Sequence, residues 1–149
     1  MMNIPDSELE LRSRLVDNGI TVVGGPLSPG VHPSLTAVLV VTGGYVQPTV
    51  TVPRSAPDLK ERLDRKWEEQ AEKMRLRSTD GRFLLRLSNP GSESRGWLQV
   101  HDSVIDQLPS RISIASGHRE FIAASLDSKR LCAVSLEDEE DWIVTHEFS

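Results

Sequence analysis

APDLKERLDRKWEEQAEKMRLR, residues 56–77, separates a β-leaning first third of the chain from a strongly β-leaning second half. Leu59, Leu63, Trp67, Ala71 and Met74 recur at spacings of four, four, four and three, which lines them along one face of a 3.6-residue period. Ser55 is placed to cap the first turn, Asp58 three residues later fits a capping box, and Pro57 falls where its missing N–H costs nothing. Asp58 and Glu61 lie at the positive end of the helix dipole, and Lys73, Arg75 and Arg77 at the negative end. Asp58–Arg62, Glu61–Arg65 and Glu69–Lys73 have the acid-first spacing that adds about 0.2–0.5 kcal/mol per pair. Six acids interleave with seven bases, so the polar face is close to neutral. The spacing predicts one helix over 56–77, about 33 Å long at 1.5 Å per residue. It either lies on a sheet or offers its stripe to a partner.

Outward from that helix the pattern changes to period two. On the N-terminal side, Ser7 with Glu10 and the stop signal Asn18-Gly19 predict a short helix over 6–18, followed by a strand over 20–23. Residues 26–33 hold three prolines and a glycine and read as a loop. Residues 35–41 and 45–52 read as strands joined at Gly43-Gly44, with Pro48 marking the second as an edge or bulged strand. On the C-terminal side, Asp80-Gly81 turns the chain into a strand over 82–88, where Phe83, Leu85 and Leu87 share a face. Residues 89–96 are turn chemistry throughout. A strand over 97–101 follows, then a helical turn or two over 102–108 with Asp102 as cap and Pro109 as terminator. Strands are predicted over 111–115, 120–126, 131–136 and 142–148, the last also a candidate edge. These features predict an α+β fold: one domain over 1–149, a mainly antiparallel sheet packed by one long central helix and a shorter N-terminal helix. A doubly wound fold would need helices between successive strands, and the second half has no room for them.

The composition is that of a globular chain, 38% hydrophobic and 26% charged, with a net charge of −5. That balance argues against a nucleic-acid binder, which needs a basic surface, and favours a basic protein partner. The single cysteine, Cys132, excludes an intrachain disulfide and fits a reducing compartment. No apolar run approaches the roughly 18–20 residues of a membrane span, and the first residues, MMNIPDSELELRSR, lack a signal-peptide pattern. A cytoplasmic protein without membrane association is the expectation.

Chemistry-bearing motifs are sparse. VVTGGY at 40–45 has the first glycines of a dinucleotide site, but strand sequence follows where a helix N-terminus is required. His32, His101, His118 and His146 are scattered without ligand spacing, and Cys132 sits between Leu131 and Ala133 as a small core residue; neither a metal nor a cofactor is expected. The acidic run over 137–141 lacks the spacing of a calcium loop. No nucleophile elbow is present. The densest interaction signal is Glu137, Asp138, Glu139, Glu140 and Asp141 beside Trp142, an aromatic next to concentrated negative charge that suits a basic protein partner. The reading is a non-enzymatic protein-binding domain of adaptor, inhibitor (immunity-type) or chaperone type. The alternatives are a small enzyme whose site assembles around His101 and His118 with Asp102 or Glu120, and a homo-oligomeric structural subunit assembling through the helix stripe or a strand edge.

Overall fold

Seven strands form a single antiparallel sheet in the computed structural model, which describes residues 6–23, 48–87 and 97–147. In chain order the elements are α1 (Asp6–Asp17), β1 (Ile20–Val22), β2 (Val50–Pro53), α2 (Leu59–Lys73), β3 (Arg82–Leu87), β4 (Leu98–Asp102), α3 (Leu108–Ser116), β5 (Phe121–Ala124), β6 (Arg130–Leu136) and β7 (Glu140–Glu147). The strand order is β1-β4-β3-β5-β6-β7-β2. The class is α+β, as the sequence predicts. The loop expected over 26–33, the strand over 35–41, the Gly43-Gly44 turn, the loop over 89–96 and Phe148 fall outside the described residues.

Alternation along the strands sorts side chains onto two faces. Phe83, Leu85 and Leu87 of β3, Phe121 and Ala123 of β5, Cys132 and Val134 of β6 and Ile143 of β7 join Leu63, Trp67 and Ala71 of α2 in the main core. The sequence stripe of α2 therefore faces the sheet. Trp67 is fully buried, its ring 5.5 Å from that of Phe121, and its indole N–H donates to the Cys132 carbonyl at 3.3 Å. Leu84, Ile122, Ala124, Leu131, Ala133 and Val144 form a second buried cluster on the opposite face, with Trp97, Leu126 and Trp142 against it. Burial raises the Cys132 thiol pKa strongly, so the sulfur behaves as an inert core atom.

Several local expectations differ from the structure. Helix α2 spans Leu59–Lys73, shorter at both ends than predicted. At the start, Ala56 and Leu59 close successive turns onto the Pro53 and Ala56 carbonyls, and Asp58 becomes the N-cap residue with its carboxylate turned to Arg62 at 3.0 Å. At the end, Leu76 N–H bonds back to the Ala71 carbonyl and Arg75 N–H to that of Glu72, the double bond of a Schellman turn. Arg75 takes the left-handed position of that turn at φ 51°, and Leu76 is drawn into the core.

Residues 111–115 are helix, not strand, and residues 103–107, expected as part of a helical turn capped by Asp102, are instead bends between β4 and α3. Pro109 starts α3 instead of ending a helix, because it sits in the first turn where no N–H is required. Leu108, Arg111, Ile112 and Ala115 are the buried face, a helical spacing of three, one and three. Asp64 of α2 accepts the Ser110 N–H at 2.8 Å and its hydroxyl at 2.6 Å, supplying from another element the cap that the local sequence lacks.

Strand β7 is not an edge. It lies between β6 and β2, with Val50 opposite Ile143 and Val134 opposite the same residue on the other side. The ends of the sheet order are β1 and β2; Pro48 lies just before β2, in keeping with its edge reading.

Candidate functional site

Strand β4 ends by turning Asp102 toward the helices, and a buried ionic network grows from that carboxylate. Arg111 of α3 meets it with two parallel bonds, 2.8 and 2.9 Å. Arg77, just beyond α2, donates to the same carboxylate at 2.8 Å and grips Glu68 with bonds of 2.7 and 2.8 Å. The Arg77 guanidinium lies 5.5 Å from the Trp67 ring centroid and 5.7 Å from that of Phe83. Burial alone would raise the Asp102 carboxyl, but the Arg111 bonds and charge, with the Ile105 N–H and Arg77, outweigh it and hold the pKa below its ordinary value. For Arg77, burial opposes the charge, and the bond and charge of Glu68 followed by those of Asp102 overcome it and raise the pKa. Two acids and two guanidiniums are thus matched in one network.

The same carboxylate shapes the next loop. Asp102 Oδ1 accepts the N–H groups of Val104 and Ile105 at 3.0 and 3.1 Å, an Asx-type turn. It holds Ile105 at φ 57° and is followed by Gln107 at φ 54°. A left-handed backbone is a true outlier for a β-branched residue. Val104 and Ile105 stand 50% and 57% exposed. Gly19 answers this loop from the α1–β1 turn: a Cβ there would come within 2.6 Å of Val104 Cγ2, and its φ is +80°.

Ile105 borders a cavity of about 970 Å³ between the end of α2, this loop and the β5–β6 turn. Ala71, Leu76 and Leu126 supply the rest of its apolar lining. Arg75, Arg77 and Arg130 line it together with Glu68, Glu72, Asp106 and Asp127. The Asp127 carboxyl is held low first by the Ser125 hydroxyl and then by the Lys129 N–H, so the turn that forms this wall is internally braced. A concavity with apolar lining and convergent charged groups is the usual form of a binding site.

The acidic loop lies elsewhere. Glu137 N–H closes onto the Glu140 carbonyl, and β7 already begins at Glu140. Asp141 is fully buried between Arg54 at 3.2 Å and Arg119 at 3.0 Å. Arg54 also donates to the main-chain carbonyls of Glu137, Asp138 and Glu140. Glu140 accepts the Trp142 indole N–H at 2.7 Å, and Trp142 packs on the second cluster. Asp138 and Glu139 remain exposed, with Glu137 half-buried.

The histidine set is not brought together with its acids. His101 pairs across the sheet with Thr21 and Arg82 on the face opposite Asp102. His118 is exposed beyond α3, and Glu120 accepts the Leu136 N–H at 3.0 Å. Among the described residues, no histidine lines the cavity. Among the described residues, no group of three His, Cys, Asp or Glu side chains is placed to hold a metal ion, and no helix is long and apolar enough to cross a membrane.

No family model matches the chain, and neither a curated protein nor a solved structure matches it. The groove residues escaped the sequence reading because they come from three distant segments. The sequence signal that points to them is the adjacent apolar pair Val104-Ile105 between Asp102 and Asp106, which the helical turn expected over 102–108 absorbs.

Proposed function

We propose that this chain is a non-enzymatic protein-binding domain whose groove receives an extended segment of a partner polypeptide. The display of Ile105 at the groove carries this reading. A left-handed backbone costs an L-residue about 1–2 kcal/mol, and an exposed isoleucine recovers little of that by burial within its own chain. Such strain persists where surrounding structure enforces it and clusters at ligand-binding sites. Here Asp102 enforces it, and Ile105 stands at the groove beside Leu126 and Leu76. The mixed charges of the lining suit a segment with an apolar anchor and polar flanks.

Ile105→Gly separates the two roles of this residue. Glycine relieves the backbone strain, so the variant should unfold at the same urea concentration as the wild type or higher. It also deletes the anchor contact, so the affinity of a purified partner, measured by calorimetry, should fall about tenfold or more. Unchanged affinity in a folded Ile105→Gly protein removes the groove as the binding surface.

The acidic loop is a second contact in this proposal, supported by the way Arg54 pins three of its carbonyls and leaves Asp138 and Glu139 exposed. A basic partner meeting it should lose on-rate in high salt and in an Asp138→Ser, Glu139→Ser double variant.

A further inference from the structure

Beside the groove, a hollow of about 370 Å³ opens between the last turn of α2 and the ends of β6 and β7. It shares Arg75 and Arg130 with the groove, so one bound segment can span both. Lys73, Arg75 and Arg130 line it, with Gln70 and Thr145 as uncharged polar neighbours and Glu147 as the one carboxylate among the described residues. Among the described residues three cations line it against one acid, with Asp127 paired to Arg130 at 3.6 Å from outside the hollow, a local excess of positive charge in a chain of net charge −5. We propose that this hollow seats an oxyanion, a carboxylate or a phosphorylated side chain, carried by the segment that binds the groove.

Cations at a helix C-terminus commonly serve only to satisfy the last carbonyls and the dipole. Here main-chain donors and the Arg130 side chain meet that task, and among the described residues neither the Lys73 nor the Arg75 side chain is used for it. Main-chain N–H donors from Leu76, Arg75 and Met74 take the Ala71, Glu72 and Gln70 carbonyls, and Arg130 takes the Met74 carbonyl at 2.9 Å. That bond and Asp127 at 3.6 Å fix the Arg130 guanidinium in place. The Arg75 guanidinium is exposed and makes no ion pair among the described residues. Its left-handed backbone, φ 51°, sets it at the boundary of both concavities. An arginine fork offers two parallel donors to a planar carboxylate or a phosphate, which a lysine in that position does not.

The inference rests on the groove reading, and one experiment tells the two apart. Random peptides displayed on phage are selected on immobilised full-length protein in three forms: wild type, Arg75→Gly and Ile105→Gly. Both glycines replace residues at positive φ, so both variants retain the fold. Peptides selected on the wild type should carry an acidic residue beside an aliphatic or aromatic one. A synthetic peptide of that kind should bind Arg75→Gly about five- to tenfold more weakly by fluorescence anisotropy. Changing its acid to glutamine should weaken wild-type binding equally, and Arg75→Gly should then add no further loss. A phosphoserine in place of the acid identifies the preferred oxyanion by tighter or weaker binding. If the peptides are lost on Ile105→Gly but bind Arg75→Gly unchanged, the groove stands and the oxyanion site is refuted. If they are lost on Arg75→Gly alone, the hollow stands and the groove reading falls. Selection of no sequence above a blank surface overturns both.

Discussion

Replacing Asp102 with alanine should destabilise the protein more than any other single charge removal. The carboxylate is fully buried and balances two guanidiniums whose side chains are only 10% and 11% exposed. Without it, Arg77 keeps Glu68, whereas Arg111 keeps only the carbonyls of Asn18 and Asp106. One uncompensated buried cation is left, and breaking a buried pair in this way costs about 3–5 kcal/mol. The Val104 and Ile105 N–H groups also lose their acceptor, a smaller cost because that loop reaches water. A domain of this size has about 5–15 kcal/mol in total, and the loss corresponds to a Tm fall of roughly 6–20 °C. Asp102→Asn retains Oδ1 for the two N–H groups and should lose less. The double variant Asp102→Leu, Arg111→Met removes cation and anion together and should recover part of the loss. Urea unfolding followed by tryptophan fluorescence gives the midpoints, read at constant m. A loss below about 1 kcal/mol for Asp102→Ala, or a double variant no more stable than the single, would refute the pairing logic.

Trp67→Ala should cost on the order of 3–5 kcal/mol in the same assay, since the ring is wholly enclosed; unchanged stability would contradict its place in the core. Asp64 tests the pH dependence. Burial raises its carboxyl above the ordinary 3.8 against the Ser110 bonds, with the charges of Glu68 and Asp106 adding to the rise. The folded state therefore binds that proton more tightly than the unfolded chain, and stability falls as pH rises from about 3.8 through the raised folded value. Asp102, held low, acts with the opposite sign: its contribution is present above about 3.9 and is lost as pH falls below that. Asp64→Asn should flatten the decline above pH 4 and leave the acid-side loss in place; a profile superimposable on the wild type counts against this assignment. Arg54→Ala leaves Asp141 with Arg119 alone and frees three carbonyls, so amide exchange at Glu137 should accelerate at least tenfold while the β3–β4 amides stay protected.

Whatever the chain encodes through local periodicity was readable. The Leu59–Met74 stripe identified α2 and its inward face, and Phe83, Leu85 and Leu87 identified the buried side of β3. The misread features depend on partners remote in sequence. Leu108, Arg111, Ile112 and Ala115 have helical spacing, but an arginine in a buried set breaks the apolar pattern, and its reason to be there, Asp102, belongs to β4. The cap of α3 comes from Asp64 on another helix. The end of α2 was placed too late because its left-handed residue is an arginine, where a glycine would have marked the stop. The five acids of the β6–β7 turn looked alike, yet Arg54 and Arg119 draw one of them wholly inside. A cavity assembled from the end of α2, the loop after β4 and the β5–β6 turn leaves no contiguous trace.

The buried ion pairs also change what a partner encounters. Asp102, Asp141 and Glu68 are matched internally by Arg54, Arg77, Arg111 and Arg119. Three negative and four positive charges are thereby tied up, and the remainder of the chain is more negative than the formal −5. Against that background the cluster of Lys73, Arg75 and Arg130 is a local site that favours an anionic group. On the proposed reading, this charge distribution orients a mixed segment before contact, acid toward the hollow and apolar anchor toward Ile105. Arg75→Gly should accordingly slow association as well as hasten release, while Ile105→Gly, which changes no charge, should act on the off-rate alone. Stopped-flow measurements at low salt distinguish the two, and an on-rate unaffected by Arg75→Gly would mean the cations grip the segment without steering it.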